Sequence, residues 1–271
     1  VTRFVIVPQW QGSPSARGML LIDGANTIAG DLPRSTTTRI EVPLEAGESL
    51  DTGVLRASAL QRVRALLTET LQSGTDHAVV IGGDCGVAVP AIEHALAQHP
   101  TLAVVWCDAH GDLNVPESSP SGAFGGMALR AVLGEGEPSL RGAAVDVTRA
   151  VLVGARDLDQ GEEEFVESAG IRLVFAEDLA AADSLADAVA ATGADAVYVH
   201  IDLDVLDPAE ITGVNMAAPF GARTVELAAA IRALRERVPL VGASIAGFAP
   251  ASPDSAVDDM GAILRLVGAV A

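Results

Sequence analysis

The sequence predicts an α/β protein built on a mostly parallel sheet with helices on both sides. Three observations carry this. Apolar runs of strand length alternate with helical patterns from one end of the chain to the other, and most of those runs are apolar on both faces. Two of them also end in clusters of acidic residues, at the edge where open α/β sheets bind ligands.

The first run, 4–7, is Phe-Val-Ile-Val, bulky and β-branched, and Pro8 stops it. Segment 9–40 is rich in Gly, Ser and Pro and reads as a loop. A helix follows over 55–73, with Leu, Val and Ala at mixed three and four spacing. The strand at 78–81 ends in Gly82-Gly83, and an Ala-rich helix spans 87–98. The strand at 102–107 gives way to an acidic run and then to the Pro- and Ser-rich loop 113–123. Helix 124–134, strand 150–153 before Gly154, strand 173–175 and helix 178–191 continue the alternation. Strand 196–201, helix 222–237, strand 240–245 and helix 256–269 complete it. Such units join through right-handed crossovers.

The 271 residues are 49% hydrophobic and 20% charged, which suits one large domain over 1–271. Aromatics are only 3%, so aliphatic side chains must supply the packing. A formal charge of −19 argues against nucleic acid and against anionic membrane surfaces. Two cysteines, Cys85 and Cys107, do not make a disulfide framework, and no apolar run reaches spanning length. Residues 1–8 do not read as a secretion signal, so the cytoplasm is the expected location.

The chemistry lies in two short runs. Asp108-Ala109-His110-Gly111-Asp112 closes one strand, and Asp202-Leu203-Asp204 closes another. Alternate residues leave a strand on the same side, so the two ends together form a carboxylate-rich cup. Without cations that cup would crowd like charges in a partly desolvated space. Carboxylates with a little imidazole suit ions such as Mn²⁺, which hydrolytic sites hold in pairs roughly 3.5–4 Å apart. Hydrolysis by a bridging hydroxide follows. Any one Asp after a strand is more often a helix cap or a turn former, but five donors in two runs are not explained that way.

These residues resemble the ureohydrolase family, the arginases and agmatinases. Its signatures are Gly-Gly-Asp-His, Asp-Ala-His-x-Asp and Ser-x-Asp-x-Asp-x-x-Asp-Pro, matched here by Gly82-Gly83-Asp84-Cys85, by 108–112 and by 200–208. The resemblance implies a three-layer α/β/α fold of the arginase/deacetylase kind, two Mn²⁺ ions and a guanidino substrate. It implies that Asp108 and Asp202 bridge both ions, with Asp112 on one and His110 and Asp204 on the other. Asp112 is the expected proton relay. Asn114, Ser119 and Ser121 stand where family arginases hold the substrate carboxylate, and Asp159, in Arg156-Asp157-Leu158-Asp159, where they hold its ammonium group. An α-amino acid substrate and a homo-oligomer are implied as well.

Three departures from the family pattern are informative. Cys85 stands in place of a histidine ligand, as a softer donor that alters one metal position and hence catalysis. Gly125 and Gly247 replace a proton-shuttling histidine and a glutamate near the guanidinium. A strongly basic guanidinium needs such groups; an N-hydroxyguanidine is less basic and can bring its own hydroxyl to the metals. Nω-hydroxy-L-arginine, giving hydroxyurea and L-ornithine in antibiotic biosynthesis, is the expected reaction. A hydrolase of arginine or another guanidino acid, and a silent ligand-binding relative, are the alternatives. His200, two residues before Asp202, is expected either to hydrogen-bond a metal-bound carboxylate or to be a satisfied core residue. His77, His94 and His99 are expected to face solvent, and Asp84 and Asp207 to orient loops.

Overall fold

The computed structural model describes residues 2–74 and 77–271. Eight strands form one sheet in which every pairing is parallel: β1 (Arg3–Val7), β2 (Thr37–Arg39), β3 (Ala78–Gly82), β4 (Leu102–Cys107), β5 (Ala150–Val153), β6 (Arg172–Val174), β7 (Ala196–Asp202) and β8 (Leu240–Ala246). Their order is β2-β1-β3-β8-β7-β4-β5-β6. The last two strands made therefore insert between β3 and β4. This reversal of strand order is the kind of place where open α/β sheets form a crevice.

Helices cover both faces, giving the three-layer α/β/α architecture. On one face α1 (Leu20–Gly30), α6 (Ser184–Ala190), α7 (Thr224–Arg237) and α8 (Pro253–Val270) pack Ala25, Ile28, Leu185, Ile231 and Ile263 onto the sheet. On the other lie α2 (Ala57–Gln72), α3 (Ala88–Gln98), the short α4 (Ala128–Val132) and α5 (Gln160–Ala169), with Leu67, Ile92, Leu129 and Val166 buried. Strand alternation divides the core between them. In β4, Ala103, Val105 and Cys107 serve the first face, and Leu102, Val104 and Trp106 the second. Among the described residues no helix is long and apolar enough to cross a membrane.

Segment 9–40 is not all loop, because it contains α1 and β2. Gly24, Asn26 and Thr27 lower the helical signal of α1, yet Gly24 is required there. A Cβ at this position would run into the carbonyl oxygen of Phe248, so the helix lies closer to the chain after β8 than any other residue allows. Helix α5 lies outside the expected helices as well. Asp159 and Glu162 begin it with a capping box, and Gly170, with φ of 68°, ends it. The expected helices 124–134 and 178–191 shorten to α4 and α6, with 3₁₀ turns before each.

Candidate metal centre

Four adjacent strands, β3, β8, β7 and β4, send their carboxyl ends into one cavity of about 320 Å³. Cys107 pairs with Ile201 across β4 and β7, which sets Asp108 beside Asp202; Asp202 in turn pairs with Ala246 of β8. Asp84 and Cys85 follow β3. Cys85, Asp108, His110, Asp112, Asn114, Ser119, Ser121, Asp159, Asp202 and Asp204 all line this cavity, so the expected metal and substrate residues come to one place.

The acidic residues are buried and fixed by short bonds. Asp108 Oδ1 accepts from the backbone N–H of His110 (2.8 Å), Asp202 Oδ1 from that of Asp204 (3.0 Å), and Asp204 Oδ1 from that of Ala109 (3.1 Å). Trp106 Nε1 donates to Asp108 Oδ2 at 3.3 Å. His110 Nδ1 lies 3.3 Å from Asp108 and 3.1 Å from Asp204, and Nε2 lies 3.8 Å from Asp157. One donor atom from each of Asp108, His110 and Asp204 lies within 4.8 Å of the others. The Cys85 thiol donates to Asp202 Oδ2 at 2.8 Å and stands 3.7 Å from Asp108 Oδ2. Asp112 has φ of 52° and a buried Oδ2 with no hydrogen-bond partner.

The electrostatics follow from crowding. Burial, then repulsion from Asp204, pushes the Asp202 carboxyl up to about 7. Burial and Asp108 raise Asp204 to about 6. Burial followed by Asp108 raises Asp112 well above the carboxylate range, and burial followed by Asp202 does the same for the Cys85 thiol. Burial opposes protonation of His110, but the carboxylates of Asp108 and Asp204 outweigh it and push the imidazole up to about 12. Buried carboxylates that resist ionisation, an orphaned oxygen on Asp112 and a nearby imidazole form a donor set that fits divalent cations.

The outer rim differs from expectation. Asn114 Nδ2 donates to Asp159 Oδ2 (2.8 Å) and its Oδ1 accepts from Ser118 Oγ (2.7 Å), so its amide is largely committed within the protein. Asn114 above all holds the Asp159 carboxyl below its ordinary range. Ser119 and Ser121 accept from the N–H groups of Gly122 (3.0 Å) and Ala123 (3.2 Å), leaving each hydroxyl free to donate. Glu162, unmentioned in the sequence reading, lines the cavity and accepts from the N–H groups of Leu113 (3.0 Å) and Asp159 (3.1 Å). The Asp-x-x-Glu spacing was its signal. Asn215 also lines the cavity, with a buried, unpartnered Oδ1, and nothing in the sequence marked it.

Gly247 has φ of 87°, and a Cβ there would collide with the Asp202 carboxylate. A glutamate cannot occupy this position without moving a residue of the cup. Gly125 is different: a Cβ there would lie 3.1 Å from the carbonyl oxygen of Gly12, a tight but adjustable contact.

Asp84 and Asp207 orient loops, as expected. Asp84 accepts from Gln9 (2.9 Å) and from the N–H groups of Gly12 and Gly86 (both 2.9 Å), and Asp207 from Ala209 (2.9 Å) and Gly221 (3.1 Å). His77, His94 and His99 are not free in solvent: all three are half-buried and line a second cavity of about 250 Å³ among the N-terminal ends of β3, β7 and β8. His77 meets the carbonyls of Leu240 (3.1 Å) and Val270 (2.9 Å).

The model of the arginase family matches residues 27–266. The chain belongs to the arginase family. It is 36% identical over 212 residues to the N(omega)-hydroxy-L-arginine amidinohydrolase of Streptomyces lavendulae, covering 77% of this chain and 74% of that one. An arginase of Staphylococcus aureus is 36% identical over 50% of this chain and 48% of its own length. The arginase of Entamoeba histolytica, solved in complex with L-ornithine, shares the fold with a TM-score of 0.86 at 22% identity, over 98% of both chains. Arginase-family amidinohydrolases are metal-dependent hydrolases of guanidino compounds, and this chain is one of them.

Proposed function

We propose that this arginase-family enzyme splits Nω-hydroxy-L-arginine and water into hydroxyurea and L-ornithine, with two Mn²⁺ ions as cofactors. The observation that carries the reading is Cys85, whose sulfur lies against both Asp202 and Asp108 at a position where the family pattern has histidine. The similarity to the Streptomyces lavendulae amidinohydrolase supports the substrate. So does Gly247, whose backbone leaves no room for the glutamate that a strongly basic guanidinium calls for. The reading includes release of hydroxyurea toward D-cycloserine, an antibiotic, a homo-oligomeric state and a cytoplasmic setting.

On this reading Asp108 and Asp202 would hold both ions, with Asp112 and Cys85 on one and His110 and Asp204 on the other. A bound pair of divalent ions supplies Lewis acidity and makes hydroxide available near neutral pH. The rim residues hold the amino-acid end: the ionised Asp159 takes the ammonium group, the free hydroxyl hydrogens of Ser119 and Ser121 the carboxylate, and the remaining Nδ2 hydrogen of Asn114 assists. As the water oxygen bonds to the guanidino carbon, its proton passes to Asp112 Oδ2. Asp112 then delivers that proton to the ornithine nitrogen as its C–N bond breaks. The unpartnered Oδ2 of Asp112 supports that role.

The test is turnover of Nω-hydroxy-L-arginine and L-arginine side by side after manganese loading, for the natural enzyme and for Cys85→His. The hydroxylated substrate should be favoured by at least about tenfold in kcat/KM, and the substitution should shift preference toward arginine. Equal turnover of both, unmoved by Cys85→His, would refute the assignment.

A further inference from the structure

One histidine beside the centre has no part in the ligand set above. His200 is fully buried on β7, one strand position pair below Asp202. It occupies the first position of the family's Ser-x-Asp-x-Asp signature, so the chain differs from that pattern at two places at once, with cysteine for histidine at 85 and histidine for serine at 200. The structure brings these two together. One donor atom each from Cys85, Asp108 and His200 lies within 4.8 Å of the others.

One nitrogen of this imidazole is held and the other is bare. Its Nδ1 is 2.8 Å from Ser244 Oγ on β8, and its ring packs on Trp106 with centroids 3.9 Å apart. Trp106 also donates to Asp108 Oδ2, so the same indole fixes both neighbours. His200 Nε2 is buried and has no hydrogen-bond partner. An imidazole held through one nitrogen, with the other bare, is the usual arrangement of a metal-binding histidine. Of the two expectations, a bond to a metal-bound carboxylate and a core histidine satisfied through one nitrogen, the bond to Ser244 meets the second and leaves Nε2 open.

We propose that Cys85, Asp108 and His200 form one mixed sulfur, oxygen and nitrogen position of the metal centre, suited to a borderline ion such as Zn²⁺ or Co²⁺ better than to Mn²⁺. This rests on the reading that the cup holds two ions, and it reassigns one of them. Thiolate and imidazole together favour such ions, whereas the carboxylate-rich position around Asp204 and His110 keeps the preference for harder ones. Binding releases the Cys85 thiol proton to solvent. The two departures are then a compensating pair: the imidazole missing after β3 is supplied from beneath, on β7.

The full chain loaded with Co²⁺ provides the test, read by metal analysis, calorimetry and absorption spectroscopy. The natural protein should bind two ions and show thiolate-to-cobalt charge transfer, which Cys85→Ser abolishes. His200→Gln should weaken one ion by about 10- to 100-fold and alter that band, with the other ion retained. Ser244→Ala, which frees Nδ1 without touching a ligand, should weaken the same ion and give the answer even if His200→Gln does not fold. Two ions bound with unchanged affinities and an unchanged band in both variants would overturn the assignment of His200 and leave the two-ion reading standing. No ion in the natural protein would overturn both.

Discussion

At the scale of single residues, the centre works through groups that its own fold keeps unsatisfied. Asp112 is the clearest: a left-handed backbone, a buried carboxylate and an oxygen with no partner are all unfavourable in isolation. Asp112→Asn keeps the shape and removes the proton carrier. Turnover of Nω-hydroxy-L-arginine should fall by about 10²- to 10⁴-fold while KM changes far less. Steady-state kinetics on the metal-loaded variant check this, and an unchanged kcat would take Asp112 out of the proton path. The acidic runs were legible because residue type and alternation suffice to place them. The collision between a Cβ at 247 and Asp202, and the orphaned Nε2 of His200, depend on how β8 and β4 flank β7, which local sequence does not encode.

At the scale of elements, the loops around the cavity are tied down by caps and clamps. Arg156 donates to the carbonyls of Gly154, Asp204, Val205, Ala218 and Pro219, binding the turn after β7 to the chain after β5. Asp159 begins α5 and lines the cavity at once. Asp159→Ala should therefore cost about 1 kcal/mol of stability through the lost cap and also raise KM for the amino-acid substrate. Denaturant melts and kinetics on one preparation separate the two effects, and a loss of stability alone would confine Asp159 to capping. The six long apolar runs were readable as strands because burial on both faces demands such composition. Of the two three-residue edge strands, β2 gives no signal within 9–40, whereas β6 lies one residue before the expected run 173–175. Helix α5 was hidden by its acidic surface, and α1 by Asn26, Thr27 and the Gly24 that its close approach to Phe248 requires.

For the whole molecule, the cup makes stability and cation binding two views of one equilibrium. In the metal-free protein the carboxyls of Asp202 and Asp204, raised to about 7 and about 6, hold protons that an unfolded chain would release above about pH 4. The folded state then binds more protons than the unfolded one, so these two groups lower stability as pH rises from about 4 to about 7. Divalent ions need the same oxygens deprotonated, so they bind more tightly over the same rise. The gap in Tm between manganese-loaded and EDTA-treated protein should widen from pH 5 to about pH 7 and then level off. A constant gap would mean that these carboxylates do not hold the ions.

The insertion of β7 and β8 between β3 and β4 also sets a timetable. During synthesis the ribosome releases Cys85 and Asp108 long before Asp202, and the gap between their strands stays open until the last quarter of the polypeptide arrives. The donor set is therefore complete only once β7 has taken its place, because two of the four acids that face the cup, Asp202 and Asp204, arrive with it.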